Sequence, residues 1–222
     1  MLEVLGLWLV TLLLIRGVVQ AQAAGLPEVV LVAVPLLFMY APVLVCRIRG
    51  VDSWDYPLAL PAFRDPAWMQ AVRLNAALIG IILVPWLVGY HLYQTRLFGY
   101  HFEGTLPTAP LRLIGSHLFF AAIPEELFYR GYVQTRLDEA FGHPWRIAGA
   151  SLGPGWLITC VIFAAGHSIV HFQWWHFAIV FPSLVFGWMR ARTGQVAAGA
   201  LFHAWCNIQV GFLDALYGIA SL

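Results

Sequence analysis

Charge is what this sequence has least of. Only 10% of its 222 residues are Asp, Glu, Lys or Arg, while 61% are hydrophobic and the mean hydropathy is +0.77. An ordinary soluble domain carries about 25% charged residues, so a soluble globular protein is excluded and the chain reads as an integral membrane protein. Lysine is absent altogether. The basic residues are all arginine and almost balance the acids, for a net charge of +1, which leaves no field to attract nucleic acid. Cysteine is scarce. Cys46, Cys160 and Cys206 stand in or beside apolar runs without CxxC spacing, which excludes a disulfide framework or a zinc ribbon. The first ten residues carry no basic stretch, so they read as the start of a retained span rather than a cleaved signal. The 222 residues contain no internal repeat, no low-complexity tract and no soluble second domain.

What is present is a series of apolar runs. A span needs about 20 apolar residues. The candidates are 2–19, 29–46, 72–93, 111–141, 156–172, 174–189 and 195–219. The expected fold is an all-α, polytopic transmembrane helix bundle of about seven spans (six to eight). Residues 1–110 supply N-terminal helices and polar loops, and residues 111–222 supply the helices with chemistry on them, within one membrane domain. Arg16 interrupts the first run and is expected to snorkel. Pro182 in the sixth predicts a kink or a re-entrant course. The segments 47–66 and 94–110 read as polar loops, and 142–154 as a turn region. Arg47, Arg49, Arg64, Arg136, Arg146, Arg190 and Arg192 all follow even-numbered spans. The positive-inside rule then places those loops and the N-terminus in the cytoplasm. The all-arginine, alanine- and tryptophan-rich composition points to a bacterial inner membrane.

Polar groups interrupt the apolar runs at three places. The costliest is Glu125-Glu126-Leu127-Phe128-Tyr129-Arg130. Translocon scales charge roughly 2.5–3.5 kcal/mol for one ionised group at the centre of a span. Glu126 and Arg130 are four apart and face each other on a helix, with the acid N-terminal. Glu125 points elsewhere and is left without an obvious partner. Pro124 has no N–H and weakens the turn before it, which would let water in beside Glu125. The second place is His167, behind Ala164, Ala165 and Gly166, whose small side chains allow helices to approach. His171, four residues on, would share its face and suit a metal. The third is His203 with Asn207, again four apart. Both can donate to a developing oxyanion, and both equally serve as interhelical hydrogen-bonders. Together the three places supply the parts of a hydrolase that activates water.

With these residues the chain resembles the CPBP family, the CAAX-protease and bacteriocin-processing intramembrane endopeptidases, also called glutamic-type intramembrane proteases. The family pattern EExxxR, FxxxH, HxxxN stands here as Glu125 to Arg130, Phe163 to His167, and His203 to Asn207, in order and on separate predicted spans. The resemblance covers about 100 residues, from 111 to 207. It implies that Glu125 and His167 hold and deprotonate the attacking water. It implies too that His203 and Asn207 stabilise the oxyanion, and that Glu126 and Arg130 form a supporting pair. The implied substrate is a membrane-anchored protein or peptide cut near its C-terminus, in contact with the lipid bilayer. No cofactor and no metal are expected, zinc being the alternative. A different class of reading is a non-catalytic scaffold or a proton-coupled transporter, since intramembrane Glu and His also build proton relays.

Overall fold

The computed structural model describes residues 1–219. They form helical rods joined by short loops, with a single small hairpin among the described residues. The first rod is α1 (Leu2–Ala23). The second combines a 3-10 turn, Glu28–Val32, with α2 (Ala33–Arg49). The third is α3 (Ala67–Leu92), extended by a π turn to Leu97. Among the described residues three stretches are long and apolar enough to cross a membrane, Leu2–Ala23, Glu28–Arg49 and Ala67–Leu97, and most of their surface faces outward. In water such exposure would be untenable; in lipid it is the expected apolar coat.

The fourth rod lies at the centre. It runs unbroken as α4 (Pro110–Gly115), a π stretch Ser116–Ala122, α5 (Ile123–Glu126), a second π stretch Leu127–Gln134 and α6 (Thr135–Phe141). Every residue from Glu126 to Val133 is buried. Pro124, the second residue of α5, returns no N–H to the turn before it. The i→i+5 winding lies on both sides of that point, a device found mostly at functional sites. α1 and α2 pack on one flank, where Phe38 meets Phe128 edge-on with ring centroids 5.3 Å apart. α7 (Pro154–Val170), α8 (Val180–Thr193) and α9 (Ala197–Leu216) enclose the other flank, and α3 lies outermost against α9.

The expected bundle of about seven rods is therefore present, with three corrections of detail. Residues 142–154 are more than a turn: β1 (Trp145–Ile147) pairs antiparallel with β2 (Ala150–Leu152). Their tight turn uses Ala148 at φ 45° and Gly149 at φ 78°, the left-handed pair a two-residue hairpin needs. Pro182 does not kink a span. A 3-10 turn, Trp174–Ile179, precedes α8, and Pro182 falls in the first turn of α8, where its missing N–H costs nothing. His171 is not on the α7 face. The helix stops at Val170, and His171 is extended, at φ −141° and ψ 115°.

Candidate active site

The central rod carries the two carboxylates at the level where α7, α8 and α9 close on it. Glu126 and Arg130 are both wholly buried and pair through Oε1 and Nη1 at 2.8 Å. The pairing expected from their spacing is present, but it is one part of a larger network. Nη2 of Arg130 donates to Ser183 Oγ at 2.6 Å and to the Ser183 carbonyl at 3.2 Å. The guanidinium carbon lies 4.4 Å from the centroid of the Phe163 ring, a cation–π contact strengthened by the burial of both side chains. A buried charge left alone would cost about 3–5 kcal/mol; these contacts offset that.

Glu126 Oε1 accepts a second bond. Nδ1 of His203 lies 3.1 Å away. An ionised carboxylate only accepts, so His203 carries its proton on Nδ1 and turns Nε2 the other way. The ring is held flat against Phe186, with centroids 4.7 Å apart and planes at 13°. His167 is fixed in a comparable manner. Its Nδ1 donates to the carbonyl of Phe163 at 2.9 Å, so its Nε2 is the free nitrogen. Both Nε2 atoms face one oxygen. Glu125 Oε2 is 4.0 Å from His167 Nε2 and 4.0 Å from His203 Nε2, and it is buried with no hydrogen-bond partner among the described residues. A gap of that size is too long for a direct bond. One water set out of line, about 2.8 Å from each neighbour, closes it.

Glu125 and His167 form the floor of a cavity of about 370 Å³, walled by Leu12, Ile15 and Val19 of α1, Val34 and Phe38 of α2, and Gly166 and Val170 of α7. Tyr129 completes the floor, and Trp8 Nε1 donates to its hydroxyl at 3.2 Å. Gly166 makes this junction possible. A Cβ there would sit 2.7 Å from Tyr129 Oη and 3.1 Å from Leu12 Cδ1, so only glycine lets α1, α7 and the rod meet.

Of the residues singled out in the sequence, the structure brings Glu125, Glu126, Arg130, His167 and His203 together. Asn207 stands one turn beyond His203 on α9, half-buried, and no hydrogen bond ties it to the other five. His171 pairs with Gln173, 2.9 Å off, and lines the same cavity without joining the cluster. Among the described residues no group of three or more His, Cys, Asp and Glu side chains is placed to hold a metal ion. Asp214 accepts from the Tyr90 hydroxyl and ties α9 to α3. Sequence reading missed Ser183 and Phe186, whose contacts join residues far apart in the chain and whose immediate neighbours do not mark them; Tyr129 stood inside the EExxxR stretch but was given no role. Phe163 was visible as the first letter of FxxxH; its ring lies beside Arg130, His167 and His203, and its carbonyl sets the tautomer of His167.

An integral membrane helix bundle with a buried Glu–His cluster beneath an apolar chamber is what the fold and site define. A protein-family model described as type II CAAX prenyl endopeptidase Rce1-like matches residues 107–209, just under half of the chain and all of the helices that bear the cluster. Comparison with curated proteins and with solved structures returns no match. The match supports the CPBP (CAAX protease) family for residues 107–209 and, at the level of that family, a protease acting on a protein or peptide in a membrane.

Proposed function

We propose that the protein is a glutamic-type intramembrane endopeptidase that hydrolyses a peptide bond near the C-terminus of a membrane-anchored protein or peptide. The observation that carries this is the placement of Glu125 Oε2, buried, unpartnered, and 4.0 Å from two imidazole nitrogens whose tautomers are fixed from behind. Glu125 is the general base and His167 Nε2 holds the water beside it. As the water oxygen bonds to the carbonyl carbon, its proton passes to Glu125. The carbonyl oxygen becomes an oxyanion facing His203 and Asn207. The proton on Glu125 then goes to the departing amine as the C–N bond breaks. Water and peptide are consumed, a carboxylic acid and an amine are produced, and no acyl-enzyme forms.

The supporting pair fits this assignment. His203 gives its Nδ1 proton to Glu126, so donating from Nε2 to the oxyanion as well requires its imidazolium form. Glu126, itself held by Arg130, supports the site by fixing the His203 ring. The protein works without a cofactor in this reading, in the inner membrane of a bacterium, with its N-terminus in the cytoplasm. Two substrate types suit it: a peptide leader, or an exported protein carrying a C-terminal membrane anchor. The test is a survey of membrane-protein C-termini in cells lacking the protein. Altered termini should be restored by the wild-type chain and not by Glu125→Ala; restoration by both refutes the assignment.

A further inference from the structure

We infer that the chamber admits its substrate from the face opposite the arginine-rich loops, so that the scissile bond belongs to a membrane-tethered polypeptide displayed on the non-cytoplasmic side. This rests on the endopeptidase reading and specifies the substrate it takes.

Most of the loop arginines sit at one end of the bundle in space as well as in sequence, while Arg16, which donates to the Ile169 carbonyl at 3.0 Å, lies towards the other. Glu3 at the start of α1 bridges to Arg49 at the end of α2, at 3.2 Å, and to Arg136 near the end of the rod, at 3.8 Å. Arg190 at the end of α8 donates to Thr135 at 2.6 Å, and Trp188 donates to the hairpin carbonyl of Ile147 at 3.0 Å. All of these ends, and the loops between them, lie together. At the opposite end Arg112 is paired with Glu28 at 3.3 Å, and Arg96 follows α3. The positive-inside rule assigns the first end to the cytoplasm.

The chamber belongs to the other end. Its walls come from the second half of α1 (Ile15, Val19), the first half of α2 (Val34), and the residues beyond α7 (His171, Gln173). α7 is the reason it can open there. Its 17 residues span only about 25 Å at ~1.5 Å per residue, short of a hydrocarbon core of about 30 Å. His167 stands three residues before the helix stops, roughly one turn below a notch in the outer surface. Trp175 and His176 line the chamber there, and Trp174 and Phe177 beside them in the chain are exposed by 63% and 62%, as aromatic side chains are at the headgroup level. A chain lying in the outer leaflet reaches Glu125 over the end of α7. From the cytoplasmic end the way is closed by the buried run from Tyr129 to Gln134.

Two measurements test this. In a background with Cys46, Cys160 and Cys206 changed to alanine, Trp174→Cys and Arg64→Cys are exposed in intact cells to a membrane-impermeant maleimide. The inference expects Trp174→Cys to be labelled at once and Arg64→Cys only after permeabilisation; any other pattern overturns it. With the wild-type protein, a charged, internally quenched peptide bearing an acyl anchor is added to sealed membrane vesicles. Cleavage about tenfold or more faster in right-side-out than in inside-out vesicles, with the difference abolished by detergent, is expected. Equal or reversed rates overturn the inference. Absence of cleavage even in detergent removes the endopeptidase reading instead, and the labelling then decides the sidedness by itself.

Discussion

Gly199→Ala isolates the link between Glu126 and His203 without touching either. Gly199 lies in the first turn of α9, one turn before His203, and a Cβ there would sit 3.0 Å from Glu126 Oε2 and 3.2 Å from the Phe186 carbonyl. An ordinary C···O approach is about 3.3–3.6 Å, so α9 has to move off by roughly 0.3–0.6 Å. His203 Nδ1 is 3.1 Å from Glu126 Oε1, and a shift of that size takes it out of good bonding range. Losing a hydrogen bond to a charged group costs about 1.5–3 kcal/mol, which is roughly a 10- to 150-fold lower rate if it is lost in the transition state. Helix propensity acts the other way, by up to about 1 kcal/mol in favour of alanine, so the clash is the larger effect. Gly211→Ala is the control. It lies on the same helix, but its Cβ would meet only the end of the Leu113 side chain, at 2.8 Å, which can rotate away. The assay is cleavage of an internally quenched peptide by purified protein in detergent, with Tm measured in parallel. A Gly199→Ala protein as active as wild type and equally stable refutes the argument that Glu126 governs His203.

Three further outcomes are expected. Asn207→Ala lowers the cleavage rate by about 10²–10³, the scale of one oxyanion donor, with little change in KM; a wild-type rate would remove Asn207 from the reaction. Gly166→Ala pushes α7 off the rod, because its Cβ would lie 2.7 Å from Tyr129 Oη, and it lowers Tm as well as activity; an unshifted Tm contradicts the packing described at that junction. Treatment with a strong chelator leaves cleavage unchanged. Loss on chelation with recovery on adding zinc would replace the glutamic mechanism with a metal-dependent one.

The sequence revealed much of this site because its parts are local. Glu126 and Arg130 meet because four residues make a helical neighbour, and the winding around Pro124 changed that little. The small residues before His167 announced close packing, and Gly166 is where it occurs. What could not be read are the contacts between residues far apart in the chain. Glu126 and His203 are 77 positions apart, so the carboxylate read as half of an ion pair turned out to be shared with a histidine. Ser183 and Phe186 hold Arg130 and His203 from α8, a helix read only as a short apolar run with a proline. His171 shows the opposite failure: the spacing was right for a shared helical face, but α7 ends one residue too soon. The hairpin at 145–152 was hidden because its strands are three residues each, too short to show an alternating pattern.

The central claim is that Glu125 takes the proton of the attacking water. Its most direct test is the single-turnover cleavage rate of Glu125→Gln, which keeps the shape of the side chain and removes the base. Insertion and Tm should match wild type, and the rate should fall by about 10²–10⁴. A Glu125→Gln protein that cleaves within about twofold of wild type would contradict the account.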